Sequence, residues 1–339
     1  MKNNRYKNIV YKDRGAYLSI NAKKGGILEV SEGTKGELII RNKEFPTILA
    51  GKCSDVLSIY TDSTGESAII PAGWTVSGMK SENTISNGLV IYLIPSEIVE
   101  KINWSDTKEV EKLQETYDQF VWVPVNMLIA NGSVDGGKTF NQKIGLRKFS
   151  DEHFENSKIG EKARESLLSV GKYNGFFISR YNVSKTLGTP KTVKGKKPWI
   201  EAGFELAKNV SASETDTIAT HLTSSYEYDS ILEWLLESNI NIFDSSEYGN
   251  YFTDNCQSKL LPTGSSKKFS LKNIFDLAGN VSEITTELEN GAAVIRGGSY
   301  ENYGDIFSVS FRDMKKDEDE EDCEETIKNI GFRITLIIK

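Results

Sequence analysis

Apolar residues in this chain fall mostly in short runs separated by glycine-rich or polar turns. Over the first ~65 residues Ile27-Leu28-Glu29-Val30 and Glu37-Leu38-Ile39-Ile40 read as compact strands. Lys24-Gly25-Gly26 and Glu32-Gly33-Thr34-Lys35-Gly36 supply the turns around them. Asp55–Tyr60 alternates as a half-buried strand does. From Ala68 the texture changes: Ile69–Ser77 leads to the apolar strand Gly88–Ile94. Phe120–Val125 is a β-branched and aromatic strand with a proline stop, and Gly175–Ser184 is another strand. Helical spacing is clearest over Glu227–Glu237, where Tyr228, Ile231, Leu232, Leu235 and Leu236 fall on one stripe. Ser224 and Glu227 stand at capping-box spacing before it. The charged stretch Thr107–Gln119 reads as a second helix. A shorter one is expected to start at Pro198 and run through Trp199–Ala207. A few helices among many short strands predict an α+β fold, not a parallel α/β sheet. No internal repeat is visible.

Composition narrows the class. With 339 residues, 38% hydrophobic and 26% charged, the chain can bury a large core and is expected to carry two domains. No run of about 18 apolar residues exists, so no membrane span is expected. The opening Met1-Lys2-Asn3-Asn4-Arg5-Tyr6 is polar and lacks the apolar core of a leader. Cytoplasmic residence, or release by phage assembly and lysis, is the expectation. Cys53, Cys256 and Cys323 are odd in number and far apart, which suits isolated thiols over a disulfide framework or zinc site. A net charge of −7 argues against a nucleic-acid partner. The charge is uneven: residues 1–65 carry eleven Lys and Arg against seven Asp and Glu. Asp317–Asp322 is a dense acidic run, read as a solvated loop, with a weak cation site as the sharper alternative.

Gly132-Ser133-Val134-Asp135-Gly136-Gly137-Lys138-Thr139 matches the phosphate-binding GxxxxGK[ST] pattern. That chemistry needs a helix immediately afterwards, whose first amides face the anion. Phe140–Leu146 has no amphipathic period and contains a glycine, so a plain glycine-rich loop is the better reading.

Five further segments belong together. Phe120-Val121-Trp122-Val123-Pro124-Val125 comes first, then Phe176-Phe177-Ile178-Ser179-Arg180-Tyr181. Asn273–Glu283, Arg296-Gly297-Gly298-Ser299 and Gly331-Phe332-Arg333 follow in order. His221-Leu222-Thr223, leading into Tyr228-Asp229 and Trp234, takes the place of a helix that usually bears a Glu-Trp or Gln-Trp pair. In this order and spacing the chain resembles the formylglycine-generating-enzyme, or sulfatase-modifying-factor, superfamily, a variant of the C-type lectin fold. Ahead of these segments, the short β-segments and glycine-rich turns of residues 1–66 read as a small β-rich module that resembles no family, a candidate for docking or oligomerisation. A C-type lectin-like domain would then occupy 67–339, with its best-matched core at 120–339.

The resemblance also implies a calcium clamp, with Asp276 and Glu283 giving side-chain oxygens and Gly279 and Val281 giving backbone carbonyls. Calcium takes several hard oxygens, so this set is chemically sensible. The family's aromatic after Val281 is here Ser282. Oxidase members use a cysteine pair after the Arg-Gly-Gly-Ser segment, which binds copper(I) and activates oxygen. Those positions hold Asn302 and Phe307, so no copper is expected and a formylglycine-generating oxidase is the disfavoured alternative. Cys323 lies too far along. The iron-dependent sulfoxide-synthase branch needs a histidine cluster, and the only histidines are His153 and His221. No nucleophile elbow appears.

The expectation is therefore a catalytically silent binding or decoration protein. Its candidate binding face is Tyr300, Asn302, Tyr303, Asp305 and Phe307, an aromatic and polar mix suited to contact surfaces. The chain's texture resembles phage or prophage proteins. That implies a virion-associated adhesin whose partner is a host cell-surface glycan or protein, or another virion protein.

Overall fold

The computed structural model describes residues 8–13, 16–21, 26–32, 38–125, 161–200, 202–254, 258–289, 291–315 and 329–339. The glycine-rich loop 132–139, His153, Cys256, Cys323 and the acidic run 317–322 lie outside them. The architecture is α+β, with many short strands and five helices among the described residues.

A seven-stranded sheet organises the molecule. Its spatial order is β14 (Ser213–Glu214), β15 (Ile218–Leu222), β22 (Ile334–Ile338), β11 (Gly175–Ser179), β10 (Gln119–Pro124), β9 (Val90–Tyr92) and β8 (Thr75–Val76). Every pairing in it is antiparallel. Its central strands are buried on both faces, which is why they read as unbroken apolar runs. Val121, Val123, Phe176 and Ile178 point to one core together with Tyr226, Ile231, Leu232 and Leu235 of the helix α5 (Ser225–Glu237). Phe120, Trp122, Phe177 and Leu336 point to the other. The period of two along each strand sends alternate side chains to opposite layers.

A four-stranded sheet takes in Ser282, Glu283, Arg296, Gly331 and Phe332 of the motif segments, in the order β20 (Arg312–Lys315), β19 (Ala292–Arg296), β18 (Ser282–Glu289) and β21 (Ile330–Phe332). The β18–β21 pairing is parallel. Its Ile284, Ala293, Ile295 and Phe332 join the second core. So do residues of a three-stranded sheet, β5 (Thr47–Ile48), β6 (Ser58–Thr61) and β7 (Ser67–Ile70). The β6–β7 hairpin straddles the expected boundary at 66/67, and Ile48, Ile59 and Tyr60 share a core with Phe120 and Trp122. Residues 47–66 therefore pack with the main body. The segments before them form two hairpins, β1 (Asn8–Asp13) with β2 (Ala16–Asn21) and β3 (Gly26–Glu32) with β4 (Leu38–Glu44).

The helices are α1 (Ser96–Val99), α2 (Thr107–Thr116), α3 (Glu161–Tyr173), α4 (Phe204–Ser211) and α5. At α5 the expected capping box is present: Ser224 Oγ accepts from Glu227 N–H, and Glu227 Oε2 accepts from Ser224 N–H. The helix expected over 199–207 is a correction: α4 starts only after Gly203. Pro198 bridges Ser184, and the Trp199 amide donates to Val183 carbonyl at 2.7 Å, so this stretch is held extended. The tertiary bridge overrides the helix-start signal of the proline.

Two small hairpins complete the fold, β12 (Ser184–Thr186) with β13 (Thr189–Lys191) and β16 (Ser270–Leu271) with β17 (Ile274–Phe275). The β12–β13 turn is Leu187-Gly188, with φ of 51° and 84°. Both central residues are left-handed, the geometry that prefers Asn-Gly. Leu187 is fully solvent-exposed, so no packing offsets the roughly 1 kcal/mol cost of its conformation. Leu187→Asn is expected to stabilise the fold by about 1 kcal/mol, read as an upward shift of the urea midpoint. An unchanged or lower midpoint would contradict this account of the turn.

Candidate ligand-binding face and the polar core behind it

The stretch Asn273–Glu283 is a tie between distant segments. Asn273, at φ 62°, turns the β16–β17 hairpin, and its Nδ2 donates to the carbonyls of Ser81, Asn87 and Gly88. Asn280 is fully buried. Its Oδ1 accepts from Asn250 Nδ2 and from the Leu261 amide, each at 2.9 Å, and its Nδ2 donates to Leu261 carbonyl. Its carbonyl accepts from the Tyr300 amide, and its own amide donates to Asn250 carbonyl. The side chain and backbone groups of this one residue thus fix segments 250, 261 and 300 together. Gly279, at φ 71°, must be glycine, because a Cβ there would lie 2.4 Å from the Asn250 carbonyl oxygen.

Behind this tie lies a buried ionic core. Arg333 Nε donates to Glu283 Oε1 at 2.7 Å, and Asn182 Nδ2 donates to the same oxygen at 2.8 Å. Arg333 Nη1 donates to the carbonyls of Ser179 and Arg180, and Nη2 donates to the Phe275 carbonyl. Gly331-Phe332-Arg333 is therefore a plug joining the two large sheets. Arg296 forms a second buried pair with Asp229 at 2.6 Å and lies over the Tyr228 ring. A third pairs Arg180 with Glu82 at 2.7 Å, and Ser77, Tyr92 and Gln114 also donate to that carboxylate. Burial pushes the Glu82 carboxyl up, but Arg180 and these donors outweigh it and hold it below its ordinary value.

Of the expected calcium ligands, Asp276 is fully buried, at φ 55°; its Oδ2 accepts from the Gly264 amide at 2.8 Å. Burial pushes its pKa up to about 6, although Gly264 and Arg333 oppose the rise. Burial also raises the Glu283 carboxyl, against Arg333 and Asn182. The Gly279 carbonyl accepts from the Val281 amide at 2.8 Å and keeps one lone pair. Among the described residues no group of three His, Cys, Asp or Glu is placed to hold a metal. Asp276 Oδ1, Glu283 Oε2 and Asn182 Oδ1 are among the buried side-chain oxygens without a hydrogen-bond partner. These are hard donors of the kind calcium takes, so the donor chemistry fits.

In front of the tie, segments 239–254 and 299–311 are sewn into one surface. The Ser245 amide donates to Gly304 carbonyl, Val309 amide to Ser245 Oγ, and Phe252 amide to Asn302 carbonyl. Of the expected binding residues, Tyr303 and Asp305 are exposed, while Tyr300, Asn302 and Phe307 are half-buried. Tyr303 donates its hydroxyl to Asp254 and packs edge-on against Phe252. Asn302 closes the loop by accepting from both the amide and the hydroxyl of Ser299. Phe307 packs on Phe311. Asn302 and Phe307 thus brace the loop.

Sequence reading missed the other half of this surface: Phe243, Asp244, Phe252, Asp254 and, within the second segment, Ile306. Phe243 is 51% exposed and Ile306 62%, more than Tyr303 at 42%. The available signal was a phenylalanine between the apolar Ile242 and the polar run Asp244–Glu247, where consecutive apolar residues cannot both face one core. His221 lies away from this face. It is buried, with Nε2 2.8 Å from Glu227 Oε1, and Ser166 and Thr335 donate to the same carboxylate.

No family model matches the chain, and no curated protein matches it. Among solved structures it has a likeness to one titled "Crystal Structure of CarF", at 20% identity over 36% of this chain and 48% of that one, with a TM-score of 0.29. The match thus spans about half of that protein. A second likeness is to Treponema denticola variable protein 1, at 11% identity over 97% and 98% of the two chains, with a TM-score of 0.28. Scores this low fix neither fold nor function. No helix among the described residues is long and apolar enough to cross a membrane.

Proposed function

We propose that this protein is a non-catalytic binding module. It displays a ligand face on a C-type lectin-like, sulfatase-modifying-factor domain and serves as a phage or prophage adhesin or decoration protein. The observation that carries the reading is the pair of hydrogen-bonded segments 239–254 and 299–311, on which Phe243, Tyr303 and Ile306 are each exposed. Exposed apolar groups gathered on a rigid, hydrogen-bonded support mark contact surfaces. The support comes from the segments that resemble the superfamily: Asn280 fastens both loops, and Arg333 fastens the sheets beneath. The N-terminal hairpins are left for attachment or self-association. Calcium, held by Asp276 and Glu283 with help from the Gly279 and Val281 carbonyls, would reinforce the tie and take no part in chemistry.

The test is binding of the purified protein to host cells and isolated cell-wall polysaccharide. Aromatic anchors commonly contribute 2 kcal/mol or more, so the double variant Phe243→Ala and Tyr303→Ala is expected to bind more than about tenfold more weakly at unchanged Tm. Equal binding by wild type and variant, or absence of binding to every susceptible host, would remove the proposal.

A further inference from the structure

We infer that the ligand of this face is a basic polypeptide segment, presented by a partner protein and rich in arginine or lysine. This rests on the binding-module reading above and names the chemistry of the same face.

The charge on the face has one sign. Segments 239–254 and 299–311 carry Asp244, Glu247, Asp254, Glu301 and Asp305, all exposed, and no Lys, Arg or His. The flanking Arg312 is engaged with Glu287 at 2.8 Å, and Lys259, whose carbonyl accepts from Asn250, is an exposed cation bordering the first segment. Hydrogen bonds from the Ser246 amide and hydroxyl hold the Asp244 carboxyl below its ordinary value, so it stays ionised.

The aromatic groups stand among these carboxylates. Phe252 and Tyr303 form an edge-to-face pair with centroids 5.1 Å apart, and the Tyr303 hydroxyl is already spent on Asp254. Phe243 and Ile306 add exposed apolar area. Arginine and lysine match this combination. Their aliphatic stems cover apolar surface, their heads interact with ring faces, and their N–H groups donate to carboxylates.

The same inventory disfavours a glycan. A neutral sugar brings no cation, so it would leave the five exposed carboxylates without a counter-charge. Phosphate- or carboxylate-bearing wall polymers would meet five like charges.

The experiment uses the full chain and three probes: a fluorescein-labelled Arg-Gly repeat peptide, its Glu-Gly counterpart, and a neutral cell-wall polysaccharide. The Arg-Gly peptide is expected to bind, more weakly as ionic strength rises, and the other two are not. Asp254→Asn with Asp305→Asn should weaken it at least tenfold. Glu97→Gln with Glu115→Gln, an equal charge change at exposed sites on α1 and α2, should leave it within twofold. Tyr303→Ala should weaken it at least threefold without changing Tm.

Equal losses from the two carboxylate pairs would mean diffuse attraction to an acidic protein and would overturn the inference. Polysaccharide binding that depends on Tyr303 would overturn it too, while leaving the binding-module reading intact. No probe bound, together with no host binding, would remove both.

Discussion

Arg333→Met is expected to cost about 3–5 kcal/mol of stability, the range for breaking a buried ion pair by removing one partner. Arg333 is fully buried and spends its donors on Glu283 and on the carbonyls of Ser179, Arg180 and Phe275. Methionine fills similar space but leaves Glu283 without its cation and takes a donor from the carbonyls of Ser179, Arg180 and Phe275, of which the Arg180 carbonyl keeps the Phe275 amide. Much of the loss is thus the cost of the stranded carboxylate. Arg333→Met combined with Glu283→Gln is accordingly expected to recover about 1 kcal/mol or more relative to the single variant. Arg333→Lys keeps the charge but loses the planar fork, and should fall between wild type and Arg333→Met. Urea denaturation of the four proteins decides the matter. A loss below about 1 kcal/mol for Arg333→Met, or no recovery in the double variant, would show that the plug is not what joins the sheets.

Asp276→Asn should have the opposite sign near neutrality. The folded-state pKa of Asp276 is pushed up to about 6 from an ordinary 3.8. Between those values the folded protein binds more protons than the unfolded chain, so this group's contribution is fully present below the unfolded pKa. It is lost as pH rises through about 6. The rise corresponds to about 3 kcal/mol of penalty on the ionised form. Asparagine keeps an acceptor for the Gly264 amide and removes the buried charge. In EDTA the variant should match wild type near pH 4 and exceed it by up to about 3 kcal/mol near pH 8. Glu82 and Glu227, whose carboxyls are held below their ordinary values, act oppositely at acid pH. The difference between wild type and variant isolates Asp276 from them.

The same carboxylate links pH to the proposed calcium. A cation needs Asp276 ionised, so added calcium should raise the wild-type Tm above pH 6 and progressively less below it. The Asp276→Asn protein should respond weakly at any pH. Parallel pH profiles of the two proteins in EDTA would refute the protonation account. Indifference of the wild-type Tm to calcium and EDTA at pH 8 would refute the metal.

Much of the local structure was legible because local physics decides it. The stripe from Tyr228 to Leu236 and the box of Ser224 with Glu227 need only a helix to be satisfied, and α5 satisfies both. The continuous apolar runs at Phe120–Val123 and Phe176–Ile178 required burial on both faces, and two cores meet there. The proline start at 198 was misleading, since the Val183 carbonyl claims the Trp199 amide across the molecule. The same limit hid half of the candidate face. Phe243 and Tyr303 stand sixty residues apart, and the bonds that bring their segments together are non-local.

The sequence by itself determined the main apolar strands, the principal helix with its cap, and the acidic balance. Those follow from side-chain period, capping chemistry and charge, which act over a few residues. Only the tertiary structure decided what the motif residues do. It gave Asn280 three segments to hold, set Arg333 on Glu283, left Asp276 buried with one oxygen unpaired, and placed Asp254 beneath the Tyr303 hydroxyl. Each of these depends on groups distant in the chain sharing one low-dielectric or solvent-facing place, and no local pattern encodes that meeting.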